Sequence, residues 1–419
     1  MFPILVLTIV ILVILLRERL QLLLPFLKPF ISPHLLMASG AFAVILAGFP
    51  LENAVQSINL PIMIFLYSAF VLATLLTESG YLHHLGHKAL KRFPDGFPSV
   101  IAFIFIAGAG SAFLLNDTIA IIGIPLAVAM AKNSHISATP LIVGLAVAVT
   151  IGSVASPIGN PQNLIIAIQP QILEPFTAFG KYLLLPTVFS LIALAGLLWK
   201  VFPELKNLKT FPEDIKNNER LNEYGAARTG FMVFAILSAM RVIGAVTNAI
   251  DSFELFYMPV AGATVAILLS RKLDAALKTD YKTLIFFVGM FILMSAVWDT
   301  NFFQTLLPAR DVLMQPLWII GISLALSQML SNVPLVILYL KALGTSANTN
   351  SLMLLASGST LAGGLTFLGA ASNIIVMQTA EKYGEKLPLR EFTIIGVISV
   401  VISLIILAGW FGLIGLVGL

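Results

Sequence analysis

Two short polar stretches lie inside long apolar segments, and both combine helix-breaking residues with amides. The first is SPIGNPQN, with prolines at 157 and 161, and the second is TFLGAASN, 210 residues later. A break in an apolar helix frees carbonyl groups that can coordinate a cation, and the following half-helix presents N–H groups to an anion. The alternative is a pair of kinked helices whose amides bond neighbouring helices. The substrate-site candidates in these stretches are Ser156, Gly159, Asn160, Asn163, Thr366, Gly369, Ser372 and Asn373.

Two other apolar stretches, 97–132 and 312–346, are interrupted at their centres by polar residues, which predicts the tips of helical hairpins. These tip residues are Asn116, Asp117 and Thr118 in the first stretch and Ser331 and Asn332 in the second. Each asparagine could cap a helix, bind substrate or do both. Because an intramembrane carboxylate is costly, Asp117 is expected to hold Na⁺ or carry a proton, with a structural cap as the alternative. The substrate-site candidates from the tips are Asn116, Thr118 and Asn332, and the ion-coupling candidates are Asp117, Asn116, Asn163, Asn332 and Asn373.

Charged and metal-ligating residues elsewhere give weaker signals. Arg241 lies in the apolar segment 229–250, where it could attract an anion or pair with Asp117. His83 and His87 are four residues apart, as in some metal sites, but a basic interfacial helix also explains YLHHLGHKALKRF. Catalytic patterns such as HExxH, GxSxG and GxGxxG do not occur in the sequence. We therefore expect a protein that is not an enzyme and has no cofactor, with Na⁺ or H⁺ as its coupling ion.

The composition determines the elements that must position these residues. Apolar residues make up 58% of the 419 positions and charged residues only 11%. A soluble protein of this size keeps roughly a quarter of its residues charged, so this chain is expected in a lipid bilayer. Long continuous apolar runs favour helices over a membrane barrel. The basic residues lie in short loops, which argues against nucleic-acid binding, and the chain has no cysteine.

The apolar segments divide the chain into two halves. Residues 1–34 are expected to form the first transmembrane helix and its connector, 35–202 the first repeat, 203–228 a hydrophilic linker and 229–419 the second repeat. Each half is expected to contain about five transmembrane helices plus a re-entrant hairpin, although two complete helices could replace each hairpin. The hairpins are 97–132 and 312–346, and the helices broken at mid-membrane are 138–170 and 350–380.

Three pairs of segments indicate that the second half repeats the first. FLYSAFVLATLLTESG aligns with FFVGMFILMSAVWDTN, FLLNDT with MLSNVP, and GSVASPIGNPQNLII with AGGLTFLGAASNIIV, in the same order. Because five transmembrane helices per half is an odd number, the second half enters the membrane with opposite polarity. The sequence therefore predicts an all-α polytopic protein with two inverted-topology repeats, an architecture of many secondary transporters.

The charges in the loops predict the orientation in the membrane. Arg17 and Arg19 follow the first apolar segment, so the positive-inside rule places the N-terminus outside. The same rule places the basic linker 203–228 in the cytoplasm. We expect a multi-pass protein of the cytoplasmic (inner) membrane of a prokaryote, with the lipid bilayer as its environment.

The residues at the tips and breaks resemble a known group of transporters. LNDTIAIIGIPLAVAM and SPIGNPQNLII, with SNVPLVILYL and LGAASNIIV in the second half, are similar to signatures of the ion transporter superfamily. The resemblance is to its arsenite-pump and NhaD-type anion permease branch, which is CitMHS-like and distantly related to the divalent anion:Na⁺ symporters. It implies secondary active transport by an elevator-type motion, homodimers, and a site around the asparagines named above.

These observations favour one function over two others. The favoured function is secondary transport of a small inorganic or organic anion, coupled to Na⁺ or H⁺. A Na⁺/H⁺ antiporter is the alternative, because Asp117 is an intramembrane carboxylate. An ion channel or an intramembrane enzyme is disfavoured, since charged pore rings and catalytic motifs are missing from the sequence.

Overall fold

The protein is built from apolar helices, most of which pack against several other helices. The computed structural model describes residues 1–23, 31–209, 221–247 and 253–417, and its regular structure in these ranges is entirely helical. Six of the described helices are long and apolar enough to cross a membrane. Helices satisfy their own backbone hydrogen bonds, as lipid requires. The prediction of an all-α polytopic membrane protein is confirmed, whereas the inverted orientation of the second half stays a prediction.

The first half contains eleven helices among the described residues. They are α1 (Phe2–Leu23), α2 (Pro33–Leu46), α3 (Leu51–Ser57), α4 (Leu60–Glu78), α5 (Tyr81–Leu90), α6 (Phe97–Leu114), α7 (Asn116–Ser134), α8 (Thr139–Ser153), α9 (Pro161–Ala167), α10 (Pro175–Phe179) and α11 (Leu185–Val201). One π-helical turn, Gly180–Leu184, joins α10 and α11 into a single long span.

The second half also contains eleven described helices. They are α12 (Leu221–Thr247), α13 (Tyr257–Ser270), α14 (Asp274–Leu277), α15 (Tyr281–Trp298), α16 (Phe302–Leu306), α17 (Arg310–Leu313), α18 (Pro316–Leu330), α19 (Asn332–Leu343), α20 (Thr349–Leu361), α21 (Ala371–Lys382) and α22 (Leu389–Val417). The predicted linker is shorter than expected, because α12 begins at Leu221 and not at 229. Residues 210–220 of that linker lie outside the described ranges.

Each predicted hairpin consists of two helices joined by one residue. Leu115 joins α6 to α7 with φ 63° and ψ 138°, and Ser331 joins α18 to α19 with φ 69° and ψ 162°. A positive φ is uncommon for residues other than glycine and often marks a functional site. In both hairpins an asparagine follows at the first helical position, Asn116 in α7 and Asn332 in α19. The two tips therefore have the same backbone geometry.

Both predicted broken helices are interrupted where the sequence expects it. The first stops at Ser153 and resumes at Pro161, where proline can begin a helix because its missing N–H is not needed. The second stops at Leu361 and resumes at Ala371, with short 3-10 turns between the two pieces. A Cβ atom at Gly159 would lie 2.5 Å from the Ser153 carbonyl oxygen, so only glycine allows the first break to close this tightly.

Packing brings the two breaks together. Helix α7 of the first half packs against α21 of the second, and α19 of the second packs against α9 of the first. The pairs α6–α8 and α18–α20 hold each hairpin against the broken helix of its own half, and α11 packs along α22. A separate group, with α12, α13 and α4 packed together, lies beside this assembly. The hairpin tips therefore meet the broken helices of both halves.

Candidate functional site

The two asparagines predicted as a pair make the same hydrogen bonds. Asn163 Nδ2 donates to the carbonyl oxygens of Ser153 and Ser156, at 2.9 and 3.0 Å. Asn373 Nδ2 donates to the carbonyl oxygens of Gly363 and Thr366, at 2.8 and 3.3 Å. In each case the acceptors lie 10 and 7 residues before the asparagine. Each amide therefore satisfies the carbonyl groups that the break leaves free.

The residues of the first half-site are buried and bonded to one another. Asn160 caps α9, because its Oδ1 accepts from the Asn163 N–H at 2.8 Å. Its Nδ2 donates to the Ser153 hydroxyl at 3.1 Å. The backbone N–H of Asn116, at the hairpin tip, donates to the Gly159 carbonyl at 2.9 Å. The first tip and the first break thus form one connected polar unit.

A residue of the second half completes this unit. The Thr360 hydroxyl in α20 donates to Asn163 Oδ1 at 3.1 Å and accepts from Asn160 Nδ2 at 3.2 Å. Gln162 Nε2 also lies 3.4 Å from the same hydroxyl. Thr360 is therefore a direct hydrogen-bonded link between the broken helices of the two halves.

The second half-site is held by a different set of side chains. The Thr366 hydroxyl donates to Gln328 Oε1 at 2.7 Å, and Gln328 Nε2 donates to the Ala362 carbonyl at 2.9 Å. Asn332 Nδ2 lies beside Gly363, where an added Cβ would come within 3.4 Å of it. Asn332, Ser372 and Asn373 are all buried. The second tip, the second break and α18 are thereby joined.

The structure brings together nearly all of the residues that the sequence predicts. Around the two breaks lie Asn116, Ser156, Gly159, Asn160, Asn163, Asn332, Thr366, Gly369, Ser372 and Asn373. Thr118 is buried in the first turns of α7. Asp117 begins α7 beside Asn116, whose Oδ1 accepts from the Asp117 N–H at 3.0 Å.

Arg241 pairs with a different carboxylate from the one considered above. It lies in α12, which packs mainly against α4, α5, α10 and α13. Its guanidinium is buried and forms an ion pair with Glu174, and it also lies 5.9 Å from the centre of the Phe253 ring. The pairing with Asp117 is therefore wrong, since Glu174 takes that place. The role of Arg241 as a counter-charge for an anion stays a prediction, and the ion pair with Glu174 makes that role less favourable.

The histidines lie on a helix at the edge of the α12 group. His83, His84 and His87 belong to α5, and the His84 ring makes an edge contact with Tyr224 at 5.6 Å between centres. Burial, with a smaller contribution from the neighbouring His84, lowers the pKa of His83 below its usual value. These contacts agree with the interfacial-helix interpretation and show how α5 packs against α12.

Sequence reasoning missed Thr360, Ser153, Gln162 and Gln328. One signal was available for Thr360, because Thr150 lies 210 residues earlier, at the same spacing that relates Asn163 to Asn373. The repeat alignment therefore extends to this pair of threonines. Gln328 carried no such signal, since its role depends on how α18 packs against the second break.

Comparison with known proteins places the chain among transporters. A family model for citrate transporters, CitMHS, matches residues 10–352. The "46 kDa membrane protein" of Mycobacterium leprae is 24% identical over 372 residues, covering 84% of this chain and 85% of the relative. Silicon efflux transporter LSI3 of Oryza sativa subsp. japonica is 24% identical over 402 residues, covering 79% and 81%. Inner membrane protein YbiR of Escherichia coli K12 is 28% identical over 305 residues, covering 72% and 75%.

Solved structures of transporters share the fold. The YdaH transporter of Alcanivorax borkumensis superposes with a TM-score of 0.53 at 16% identity, covering 89% of this chain and 88% of that chain. MtrF of Neisseria gonorrhoeae superposes with a TM-score of 0.52 at 14% identity, covering 89% and 84%. Identities this low bear on the fold alone. Because the family model spans most of the sequence, the protein belongs to the CitMHS citrate transporter family and is a membrane transporter.

Proposed function

We propose that this protein is a secondary active transporter that moves a small inorganic or organic anion across the cytoplasmic membrane, coupled to Na⁺ or H⁺. The observation that carries the proposal is the paired set of hydrogen bonds made by Asn163 and Asn373 at the two breaks. Many secondary transporters bind their substrate between two repeats, on discontinuous helices near the middle of the membrane, and the paired breaks fit this arrangement.

The helix ends at the site suit an anion. Helices α7, α19 and α21 begin at the tips or at the second break, so their N-terminal N–H groups and positive dipole ends lie there. Binding an anion through helix N-termini requires no cationic side chain at the site. This agrees with the ion pair of Arg241 with Glu174, which lies outside the site.

The cargo within the anion class is not given by the relatives' names. The family description says citrate, whereas the name of the rice relative says silicon efflux. Our proposal therefore rests on the half-sites. Placement in the arsenite-pump and NhaD-type branch of the ion transporter superfamily belongs to the same proposal.

The mechanism we propose is an elevator motion. The two hairpins and two broken helices interlock through α7–α21 and α19–α9 contacts, which supports their movement as one body past the α12 group. We also propose that the two repeats have inverted topology, that the N-terminus lies outside and the linker lies in the cytoplasm, and that the protein assembles as a homodimer.

Transport in proteoliposomes tests this function. Purified protein should take up a radiolabelled anion, from a panel of oxyanions and carboxylates, when a Na⁺ or H⁺ gradient is imposed. Loss of the Asn163 side chain removes three hydrogen bonds and loss of the Asn373 side chain removes two, so Asn163→Ala and Asn373→Ala should lower uptake by about tenfold or more. The control is Gly196→Ala, in α11, where an added Cβ meets no atom within 4 Å. No saturable uptake of any anion under either gradient contradicts the proposal.

The second candidate is a Na⁺/H⁺ antiporter, which the position of Asp117 at the first tip favours. An antiporter should exchange Na⁺ for protons in liposomes without any anion, and Asp117→Asn should abolish the exchange. In the anion transporter, Na⁺-dependent proton flux without anion is absent. A pH-sensitive dye trapped inside the liposomes distinguishes the two.

A further inference from the structure

The segment that leaves α11 folds back onto the open end of the first hairpin. It forms a 3-10 turn, Pro203–Asn207, directly after α11. The Gly96 N–H, just before α6, donates to the Leu208 carbonyl at 2.8 Å. The Lys209 N–H donates to the Ser134 hydroxyl, in the last turn of α7, at 2.8 Å. The start of α6, the end of α7 and this segment therefore meet at one surface of the protein.

Exposed cations from three separate parts of the chain lie at this surface. Two parts are the last turn of α7 and the segment after α11. The third is the end of α5, because the short loop after it leads directly to Gly96, and α5 also packs against α6 and α7. We call the following set of cations the hairpin-base surface: Lys88, Lys91, Arg92, Lys132, Lys206 and Lys209.

The described part of the chain leaves the charge of the hairpin-base surface largely uncompensated. Its six cations form no ion pair with a carboxylate among the described residues, whereas Lys272 elsewhere pairs with both Glu78 and Glu223. The acidic residues in the stretches that supply the six cations are Asp95 and Glu204. Six cations against two acids give a strongly positive surface, which suits an anionic partner from outside the chain.

The hairpin-base surface lies at a boundary of the membrane. Two candidate membrane spans, Phe97–Leu114 and Pro175–Val201, have an end here. The Phe97 ring at the start of one span and the Trp199 ring near the end of the other lie 5.2 Å apart between centres. A Cβ atom on Gly96 would lie 3.6 Å from the Trp199 ring. Because both spans end at this point, the long cationic side chains are within reach of lipid headgroups.

Large apolar side chains are exposed among the cations. Leu85 in α5 is 40% exposed, and Phe93 in the loop after α5 is 42% exposed. At a bilayer surface such side chains enter the boundary of the acyl chains, while lysine and arginine contact the headgroups. A soluble polyanion would be bound by the cations alone. Clusters of about four to eight basic residues beside a transmembrane helix are typical of anionic-lipid binding. The combination therefore favours a lipid over a soluble polyanion.

We propose that the hairpin-base surface binds the headgroups of anionic phospholipids, with Leu85 and Phe93 in the boundary of the acyl chains. The inference goes beyond the proposed function and does not depend on the cargo. It also differs from the positive-inside rule, which counts charges in each loop and does not require three loops to meet. Bound lipid links the ends of α5, α7 and α11 at the base of the hairpin whose tip carries Asn116.

Trp199 provides a local reporter of the bound lipid. The protein has four tryptophans, and the other three are replaced by phenylalanine in the full-length chain, at positions 298, 318 and 410. This chain is reconstituted in mixtures of phosphatidylglycerol and phosphatidylcholine in which one lipid at a time carries brominated acyl chains. Quenching of Trp199 then gives the relative binding of the two lipids. We expect phosphatidylglycerol to be preferred by about fivefold or more at low salt, and the preference to fall as salt is raised.

Two triple variants divide the surface by chain segment. Each should lower the preference for phosphatidylglycerol by about threefold or more, because each removes half of the cations. One set changes the end of α5 and the other changes the parts that the structure brings beside it. The two sets are Lys88→Gln with Lys91→Gln and Arg92→Gln, and Lys132→Gln with Lys206→Gln and Lys209→Gln.

A third triple variant is the matched control. Lys382→Gln, Lys386→Gln and Arg390→Gln remove the same charge from exposed positions around the start of α22. That segment also contains Glu381, Glu385 and Glu391, so it is close to neutral. The control should leave the lipid preference of Trp199 unchanged. Unfolding temperatures in detergent verify that every variant is folded.

Several results overturn the inference. Equal quenching by the two brominated lipids in the otherwise unchanged chain means that the surface does not select anionic headgroups. An equal loss of preference in the control variant assigns the effect to overall charge. Inorganic polyphosphate is added to the wild type in detergent as a soluble competitor. A larger rise in unfolding temperature with polyphosphate than with phosphatidylglycerol identifies a soluble polyanion as the partner.

Discussion

Arg241 shows how a buried charge is accommodated outside the two half-sites. The Arg241 side chain is 7% exposed and pairs with Glu174, whose side chain is 32% exposed. The cation is therefore buried, whereas the carboxylate is partly accessible. The Arg241 Nε has no hydrogen-bond partner among the described residues. Removing the carboxylate therefore leaves an unpaired buried cation, whereas removing the cation leaves a carboxylate that can be solvated.

We expect Glu174→Gln to destabilise the protein more than Arg241→Gln. The cost of an unpaired buried charge is about 3–5 kcal/mol at its largest, and we expect roughly half of this for Glu174→Gln because the pair is not fully buried. The double variant should cost less than the sum of the single ones. Unfolding temperatures in detergent measure all four proteins. A larger loss in Arg241→Gln than in Glu174→Gln would contradict the burial argument.

At this scale the sequence could predict the asparagines but not their partners. Proline and glycine next to an amide mark a break, which is why the sequence predicts Asn160 and Asn163 as site residues. A threonine in an apolar helix ordinarily bonds to the carbonyl one turn earlier, as Thr150 does. Thr360 departs from this rule only because α20 packs against α9, a contact between residues about 200 positions apart. Its role therefore required the structure.

Among the elements, the crossing of α6 and α8 depends on two glycines. A Cβ atom on Gly152 would overlap the backbone of Gly108, so the two helices touch through their main chains. Small residues at a crossing allow this approach inside a membrane. The contact lies one residue before the end of α8, so it also fixes where the first break begins.

Gly152→Ala should therefore destabilise the protein and lower uptake. Overpacking a tight contact typically costs about 1–3 kcal/mol, and here the neighbour is backbone that cannot rotate away. The matched control is Gly196→Ala in α11, which has open space and should be unchanged or more stable by up to about 1 kcal/mol from its helix propensity. Unfolding temperatures measured by size-exclusion chromatography after heating compare the two. Equal stability of both variants would show that the helices can separate at no cost.

Element boundaries were predictable where polar residues interrupt an apolar run. The tips at Leu115 and Ser331 lie beside the asparagines that marked them, and both broken helices stop within the predicted ranges. The sequence predicts the start of α12 too late, at 229, because the polar composition of LNEYGAAR is typical of a linker. Those residues are helical since α12 continues beyond its apolar part, with Glu223 bonded to Lys272 at 2.9 Å.

For the whole molecule, the predicted orientation of both halves can be tested directly. The chain has no cysteine, so single cysteines introduced at exposed positions report the side of the membrane without background labelling. Glu52→Cys and Asp311→Cys should react with an impermeant maleimide in intact cells. Lys88→Cys and Lys386→Cys should react only after permeabilisation. Labelling of Glu52→Cys and Asp311→Cys from opposite sides would contradict the inverted repeat.

The membrane class followed from composition, since too few charges were present to cover a water-facing surface. The fold followed in outline from the repeat, because matched breaks and tips recur in the same order. What composition and periodicity could not supply is how the halves interlock. The contacts between α7 and α21, and between α19 and α9, join residues from opposite halves. Local sequence patterns do not indicate such contacts.

The hydrogen bonds of Thr360 also have a consequence for biosynthesis. Asn160 and Asn163 leave the ribosome about 200 residues before Thr360 does, so α8 and α9 enter the bilayer without the hydroxyl that later completes them. During that interval the amides need temporary partners, such as water, lipid headgroups or the insertion machinery. The first half of the nascent chain should therefore be the part most exposed to quality-control proteases, and its maturation should wait for α20 to arrive.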